Sequence, residues 1–385
     1  MKRRKLFSVS LCLILVMSML ASCGNKAENT SGNDNGDAKT YLLGGIGPLT
    51  GEAASYGISV KQGAEIAIKE INEAGGFKVG DDTYKFELKF EDDQADPEKA
   101  PNAYNTLYDA KVDAILGSVT SGSCIAIVDK TFKDKLLQIT PSGSALDCAR
   151  NENNFRLCFT DPLQGVKMAE LAVTELGYKK VATIFNSSDD YSTGMKDAFV
   201  AKVKELGGEI VAEEAFVKND VDFSTQLTKI KDSGAEVIFV PTYYKEAALI
   251  AKQASEKEMK LPLLGGDGWD GILDQIADAS VIEGAIFLSP FLSTDPDAAV
   301  QAFVEKYKAA YNATPDQFAA DGYDTVYVFK AALEKAGSKD YEALLKAMTE
   351  IEVNGLTGKM SFTPEGEPNK DAKFIVIKDG KYTAK

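Results

Sequence analysis

Short apolar segments alternate with longer segments of helical periodicity along most of the chain. The run 41–46 is almost wholly apolar and ends before a Gly-Pro pair, which is typical of a buried strand. The run 60–71 instead repeats its apolar residues at helical spacing. The same criteria predict further strands over 86–90, 112–117, 136–140, 181–186, 210–216, 237–241 and 263–265. They predict further helices over 98–109, 124–132, 164–176, 195–206, 223–233 and 245–257.

This order of elements predicts an α/β fold whose parallel sheets are covered by helices on both faces. A polar segment between Arg150 and Phe155 separates two series of elements, and each series is expected to bury its own core. The chain of 385 residues is long enough for two domains of ordinary size. Because such sheets bind ligands at the carboxyl ends of their strands, the residues just after each strand are the candidates for a site.

The N-terminus has the layout of an export signal. Basic residues at 2–5 precede an apolar run over 6–20, which is too short to be a settled transmembrane helix. The signal is predicted to cover 1–22, and its end, L-A-S-C, resembles the bacterial lipobox, which predicts a diacylglycerol on Cys23. An ordinary signal peptide with a chance cysteine is the alternative. Residues 23–39 are rich in Gly, Asn, Asp and Ser, as in a flexible tether.

The composition excludes several classes of function. The chain has no histidine, so Ser-His-Asp and Cys-His catalytic pairs and His metal ligands are absent. No serine is followed three residues later by lysine, which removes the S-x-x-K hydrolase pattern. The net charge of −15, with few arginines, argues against a nucleic-acid partner. We therefore expect a binding protein without a cofactor or metal, and not an enzyme.

Three cysteines remain beyond the predicted signal and lipid site. Cys148 and Cys158 flank a polar segment that would bring them together if it formed a turn, while Cys124 lies in a predicted helix. Either one disulfide joins Cys148 to Cys158 or all three are buried thiols, and the sequence does not decide between these alternatives. The absence of a C-x-x-C motif argues against a zinc site.

The loops after the predicted strands share glycines, hydroxyl groups and tyrosines. They are GPLTGEAASYG (47–57), GSVTSGS (117–123), TPSGS (140–144), NSSDDYSTG (186–194), PTYYKE (241–246) and GGDGWDG (265–271). Glycines let backbone N–H groups approach a ligand, and helix N-termini favour an anion, so these loops suit a carboxylate. A cationic group would be held by Asp267, and an apolar body would contact Tyr56, Tyr191 and Tyr243.

Taken in order, these loops resemble one family. Together with NEAGG, EDDQADPEKA and FRLCFTDPLQG, they are similar to the type I periplasmic binding proteins of the branched-chain amino acid group, which receive the substrate of ABC importers. The resemblance covers residues 40–385. It implies two doubly wound, Rossmann-like lobes joined by a three-strand hinge and closing on an amino acid. The implied N-terminal lobe comprises 40–159 and 291–362, and the implied C-terminal lobe comprises 160–290 and 363–385.

The resemblance also implies roles for individual residues. Ser121 falls at a position that binds the ligand carboxylate, and Ser144 at one that contacts both carboxylate and ammonium. Tyr191 and Tyr243 match tyrosines that close on the ligand from the second lobe. Asp267 stands where leucine-binding members usually carry a glutamate that pairs with the ammonium. The predicted ligand-binding residues are Tyr56, Thr120, Ser121, Ser142, Gly143, Ser144, Tyr191, Tyr243, Asp267 and Trp269.

Several of these residues have simpler interpretations. Ser121 and Ser144 are also good candidates to cap the helices that follow them. Asp267 precedes a glycine and fits a turn. Trp269, the only tryptophan, either covers the pocket or packs against a neighbouring loop.

The expected function follows from the resemblance. The protein would capture a branched-chain or otherwise apolar amino acid outside the cell membrane and deliver it to the permease subunits of an ABC transporter. We expect a monomer, anchored by lipid to the membrane of a Gram-positive type of cell. A receptor for urea or another small amide, or for an aromatic amino acid, is the alternative within this fold. An extracellular hydrolase is a more distant alternative.

Overall fold

The computed structural model describes residues 38–385, which form one compact unit. The predicted export signal, the lipidation of Cys23 and all but the end of the tether lie outside the described residues. The helices are α1 (Ala54–Glu73), α2 (Ala100–Asp109), α3 (Ser121–Lys133), α4 (Asp161–Glu170), α5 (Asp190–Glu205), α6 (Ser224–Asp232), α7 (Tyr244–Glu256), α8 (Ala298–Tyr311), α9 (Gln317–Ala336) and α10 (Tyr341–Met348).

The strands of the described part belong to two large sheets and one small one. They are β1 (Lys39–Gly47), β2 (Phe77–Val79), β3 (Asp82–Asp92), β4 (Ala114–Leu116), β5 (Gln138–Thr140), β6 (Asn154–Arg156), β7 (Lys180–Asn186), β8 (Glu209–Phe216), β9 (Val237–Val240), β10 (Leu263–Gly265), β11 (Ile286–Ser289), β12 (Val353–Gly355), β13 (Gly358–Met360), β14 (Lys373–Lys378) and β15 (Lys381–Ala384).

The first sheet has the order β2-β3-β1-β4-β5-β6 and is parallel except for the β2–β3 pair. The second sheet has the order β15-β14-β11-β10-β9-β7-β8, with antiparallel pairing only at β14 and β15. The central strands β4 and β9 are apolar and wholly buried, as expected for parallel strands covered on both faces. The predicted α/β fold of two doubly wound lobes is confirmed.

We call the first sheet with α1–α3 and α8–α10 the first lobe, and the second sheet with α4–α7 the second lobe. The chain passes between the two sheets three times, after β6, after β11 and after β13. On the third passage, Glu367 forms an ion pair with Arg156 of β6, and Lys370 with Asp321 of α9. The residues at which one lobe gives way to the other stay a prediction, because 38–385 form a single compact unit.

The segment between Arg150 and Phe155 is not the polar separator that the sequence suggested. Asn153 and Asn154 are fully buried, and β6 begins at Asn154 as an edge strand of the first sheet. Their side-chain N–H groups donate to Thr131 Oγ1 at 3.1 Å, so the donors of these buried amides are paired inside the lobe. The prediction failed because polarity alone does not distinguish a solvated linker from a buried hydrogen-bonding network.

The cysteines of the described part are free thiols. Cys124, Cys148 and Cys158 are all buried, and none is in a disulfide. The interpretation as buried thiols is confirmed, and the Cys148–Cys158 disulfide is wrong because the segment between them is tied into β6 and does not fold as a free turn.

The helices within residues 38–385 include none that is long and apolar enough to cross a membrane.

Candidate functional site

A small cavity lies between the two lobes at the carboxyl ends of their strands. The first lobe contributes its lining through loops that follow β4 and β5 and through the starts of α1 and α9, and the second lobe through the starts of α5 and α7 and the turn after β10. The lining side chains nearly fill this space and leave a free volume of about 10 Å³, which is room for about one water molecule. The lining residues are Tyr56, Val119, Thr120, Ser121, Ser142 and Phe318 from the first lobe, and Tyr191, Tyr243, Asp267 and Gly268 from the second.

The first-lobe wall is built from hydroxyl groups around the start of α3. Thr120 precedes that helix in an extended conformation, and its side chain makes no capping hydrogen bond. Ser142 donates its hydroxyl to the carbonyl of Val119 at 2.7 Å, which ties together the loops after β4 and β5. The helix N-terminus adds a positive potential at this wall. Among the described residues, no Lys or Arg lines the cavity, so an anion here would depend on hydroxyl and N–H donors.

Neither predicted serine caps a helix. Ser121 is already the first residue of α3, and its Oγ accepts the N–H groups of Ser144 and Ala145, both at 3.2 Å. The helix therefore begins three residues earlier than predicted, and Ser121 instead holds the loop after β5 against it. The hydroxyl of Ser144 is buried and has no hydrogen-bond partner within residues 38–385.

The second-lobe wall carries a buried carboxyl group, Asp267, which is 3% exposed. Gln164 of α4 binds this residue twice, because its Nε2 donates to Asp267 Oδ1 at 3.0 Å and its Oε1 accepts the Asp267 N–H at 2.9 Å. Burial raises the pKa of Asp267 to about 6, and the hydrogen bond from Gln164 opposes that shift. Asp267 is therefore held in place as a carboxylate at neutral pH, within reach of a cationic group in the cavity.

Aromatic rings form the apolar part of the cavity. Tyr191 and Tyr243 stack with ring centroids 5.0 Å apart, and Tyr56 stacks on Phe318 with centroids 4.1 Å apart. The edge of Tyr56 also meets Tyr243, at 5.6 Å between centroids. These four rings come from both lobes and offer apolar faces to a hydrophobic ligand group.

Hydrogen bonds across the cavity hold the two lobes together. The hydroxyl of Tyr56 donates to the carbonyl of Gly268 and accepts the N–H of Tyr244 at 3.1 Å. Gln317 at the start of α9 donates its Nε2 to the carbonyl of Asp267 at 2.9 Å. Because these bonds join opposite walls, a ligand larger than the present space would enter only when the lobes separate.

The structure brings seven of the ten predicted residues together at the cavity and leaves three outside its lining. Trp269 is fully buried, and its Nε1 donates to the carbonyl of Val240 at 2.9 Å, so it packs in the second lobe and does not cover the pocket. The backbone N–H of Gly143 donates to Thr140 Oγ1 at 2.8 Å, and its carbonyl accepts a hydrogen bond from Arg156. Both backbone groups of Gly143 are therefore already paired. Ser144 lies behind Ser121 and not at the surface of the cavity.

Three lining residues were not predicted from the sequence: Val119, Gly268 and Phe318. Val119 and Gly268 lie inside loops that the sequence did single out, next to Thr120 and Asp267. Phe318 follows no strand, because it lies in the first turn of α9 after the second passage between the lobes. The sequence does contain a signal for the start of this helix, because Asp316 is a favoured N-cap residue. In the structure Asp316 caps α9 by accepting the Ala319 N–H at 2.9 Å.

A family model described as periplasmic binding protein matches residues 40–381 of the chain. The match covers nearly all of the described residues, and the fold and the position of the cavity agree with it. The chain belongs to the periplasmic binding protein family, which confirms the resemblance inferred from the ordered loops.

Individual amino acid binding proteins are similar to this chain over most of its length. The Leu/Ile/Val-binding protein homolog 3 of Brucella melitensis is 32% identical over 345 residues, which is 88% of this chain and 92% of that protein. The crystal structure of the branched-chain amino acid transporter substrate binding protein LivJ from Streptococcus pneumoniae, in complex with isoleucine, is 32% identical with a TM-score of 0.83, covering 90% of this chain and 99% of that one. The leucine binding protein LivK of Thermotoga maritima is 30% identical with a TM-score of 0.81, covering 89% and 97%.

Proposed function

We propose that this protein is the extracytoplasmic substrate-binding component of an ABC importer and that its ligand is a branched-chain amino acid. The ligand would lie in the cavity between the lobes, with its carboxylate at the hydroxyl groups of Thr120 and Ser121 and its ammonium at Asp267. Its side chain would contact Tyr56 and Phe318. The lobes would close around it, and the closed form would dock on the membrane permease.

The arrangement of charge in the cavity is the observation that carries this proposal. A buried carboxyl group on one wall and hydroxyl groups beside a helix N-terminus on the other complement the two charged ends of a zwitterion. The aromatic rings between them complement an apolar side chain. The names of the relatives, which include Leu/Ile/Val-binding proteins, agree with this choice.

An aromatic amino acid is the second candidate, favoured by the four rings that line the cavity. Phenylalanine is larger than leucine, isoleucine or valine, so the lining rings would have to move further apart to hold it. A hydrolase is disfavoured because the Ser121 hydroxyl already accepts two backbone N–H groups, and no general base lies beside it among the residues that line the cavity.

A thermal-shift screen against the twenty amino acids, urea and acetamide tests the proposal. A true ligand present at 100 times its dissociation constant stabilises the folded state by about 2.7 kcal/mol, which is easily measured. We expect leucine, isoleucine or valine to give the largest shift, followed by calorimetric titration to confirm a single site. A shift from urea or acetamide with none from any amino acid would assign the cavity to a neutral amide.

The lipid anchor is a separate part of the proposal and rests on the lipobox alone. If Cys23 carries a diacylglycerol, Cys23→Ala should release the mature protein into the medium or leave its signal uncleaved. Fractionation of cells that express each form measures this directly. Unchanged membrane association in the Cys23→Ala variant would rule out the anchor, because one lost lipid should abolish stable binding.

A further inference from the structure

The turn that carries Asp267 is fixed by close packing, and the proposed function uses only the carboxyl group of this one residue. We call residues 265–271, the GGDGWDG segment that begins at the end of β10, the Asp267 turn. A Cβ at Gly265 would lie 2.4 Å from the tryptophan ring, and one at Gly268 would lie 2.8 Å from the Tyr191 hydroxyl. Glycine is therefore required at both positions, because the backbone of the turn approaches its neighbours directly.

The second lobe holds the Asp267 turn through its N–H groups. The N–H of Asp267 donates to Gln164 Oε1 at 2.9 Å, and the N–H of Gly268 donates to the Tyr191 hydroxyl, also at 2.9 Å. Gln164 belongs to α4 and Tyr191 to α5, so both partners are parts of the second lobe itself. These two bonds therefore stay with the turn when the lobes move relative to each other.

The first lobe bonds to the same turn through its acceptors. The carbonyl of Gly268 accepts the hydroxyl of Tyr56, and the carbonyl of Asp267 accepts Gln317 Nε2 at 2.9 Å. The backbone N–H of Gln317 also donates to Asp270 Oδ2 at 2.8 Å. Gln317, which is 1% exposed, thus bonds both to the residue that bears the proposed ammonium-binding carboxylate and to a residue at the far end of the turn.

Gln317 is fixed to the first lobe because α9 packs backbone to backbone on α1. A Cβ at Gly63 of α1 would lie 1.8 Å from the carbonyl oxygen of Ala319, and one at Gly322 of α9 would lie 2.2 Å from the carbonyl oxygen of Val60. Such close contact leaves no room for the start of α9 to shift along α1. Separation of the lobes would therefore break the bonds between Gln317 and the turn.

We propose that Gln317 is a positioning residue that completes the alignment of Asp267 only when the lobes are closed. This inference rests on the proposed function, because the alignment matters for a ligand with an ammonium group. In the closed form, Gln317 and the Tyr56 hydroxyl hold the turn from the first lobe while Gln164 holds it from the second, so the Asp267 carboxylate keeps one orientation toward the ammonium. Gln317 does not line the cavity, so it couples recognition of the amino end to closure without contacting the ligand.

Gln317→Met removes the side-chain bond and little else. Methionine keeps the length of the side chain, and the backbone N–H can still donate to Asp270. No acceptor bond is lost, because Gln317 Oε1 has no hydrogen-bond partner within residues 38–385. Gln301→Met is the matched control, since the Gln301 amide also donates to backbone carbonyls, those of Ser293 and Asp295, which lie outside the turn.

Calorimetric titration with leucine and with 4-methylpentanoate, which lacks the amino group, tests the inference. Gln317→Met should weaken leucine binding roughly five- to tenfold, mainly through faster release measured by stopped flow. It should change the binding of 4-methylpentanoate by less than about twofold, because a ligand without an ammonium does not use Asp267. Gln301→Met should leave the affinity for both ligands within about twofold of the wild type.

The possible results separate this inference from the proposed function. Equal weakening of both ligands by Gln317→Met would overturn the inference, because Gln317 would then act on closure alone and not through Asp267. Unchanged leucine binding, or the same leucine-selective loss in Gln301→Met, would also overturn it, and the proposed function would stand. If no amino acid binds the wild type, both proposals fall. Should Gln317→Met fail to fold, Tyr56→Phe removes the other first-lobe donor to the turn, and equal losses of both ligands there would contradict the inference.

Discussion

The wall of the cleft that the first lobe contributes carries hydroxyl groups and the start of α3, whereas the wall from the second lobe carries the buried carboxyl group of Asp267. The first wall has no charged side chain among its lining residues, and the second has one that is fixed by Gln164. If the ligand is the amino acid proposed above, each lobe would recognise one end of the zwitterion. Neither lobe alone would complete the site, so capture and closure would be the same event.

The largest expected effect is the loss of the carboxylate from the second wall. Asp267→Asn keeps the size of the side chain and removes the charge, which leaves the ligand ammonium without its main partner. Losing one partner of a buried charge pair typically costs about 2–5 kcal/mol, or roughly 30-fold to several thousand-fold in affinity. Calorimetric titration with leucine measures this. Binding within about threefold of the wild type would mean that the ammonium lies elsewhere.

The pH dependence should be nearly as large. The pKa of Asp267 is raised to about 6, so the ligand-free protein protonates this group as the pH falls through that value. Leucine affinity should therefore fall by up to about tenfold per pH unit below 6.

The stability of the ligand-free protein should have the opposite trend. Because the folded-state pKa of Asp267 is raised, the stabilisation that its proton gives is present at low pH and is lost as the pH rises through about 6. Burial also raises the pKa values of Asp189 and Asp321 to about 7 and that of Asp316 to about 6, so Asp267→Asn should reduce the stability trend without abolishing it. The same variant should remove the part of the affinity trend that Asp267 causes. Urea unfolding and titration between pH 5 and about 7.5 measure the two. An affinity that rises as the pH falls would contradict the assignment.

A smaller effect is expected from the first wall, where several donors share the carboxylate. Thr120→Val keeps the shape and removes one hydroxyl that makes no capping bond. We expect a loss of about 1 kcal/mol, or roughly fivefold in affinity, because other donors remain. Ser121→Ala would be a less clean test, since its hydroxyl also accepts two N–H groups of the neighbouring loop. A hundredfold loss in Thr120→Val would show that the two walls are less different than proposed.

The smallest effect concerns the contact between the lobes at the mouth of the cleft. Lys245 of the second lobe lies 3.2 Å from Glu52 of the first, and both side chains are partly exposed. Exposed ion pairs contribute little, so Lys245→Ala should speed ligand release by no more than about threefold, and added salt should erase the difference. Stopped-flow release of leucine at two salt concentrations measures this. A larger effect that salt does not reduce would indicate a role for Lys245 in the site itself.

The sequence predicted the parts of the site that follow strands. Thr120, Tyr191 and Asp267 were found because the carboxyl ends of parallel strands meet at one edge, so distant loops converge. Phe318 was not predicted because it follows a passage between the lobes, where no strand marks the position. Gly143 and Trp269 do lie in loops that reach the cavity, but local packing directs them away from it. Burial of Asn153 and Asn154 likewise depended on partners that only the folded chain supplies.

The orientation of the ligand between the two walls is the central claim, and crossing protein variants with ligand analogues tests it most directly. Leucine, leucinamide and 4-methylpentanoate would each be titrated into the wild type, Asp267→Asn and Thr120→Val. We predict that Asp267→Asn weakens leucine and leucinamide strongly but barely changes the binding of 4-methylpentanoate, which has no amino group. Thr120→Val should weaken leucine and 4-methylpentanoate more than leucinamide. If Asp267→Asn instead weakens 4-methylpentanoate as much as leucinamide, the amino end does not face the second lobe, and the account is wrong.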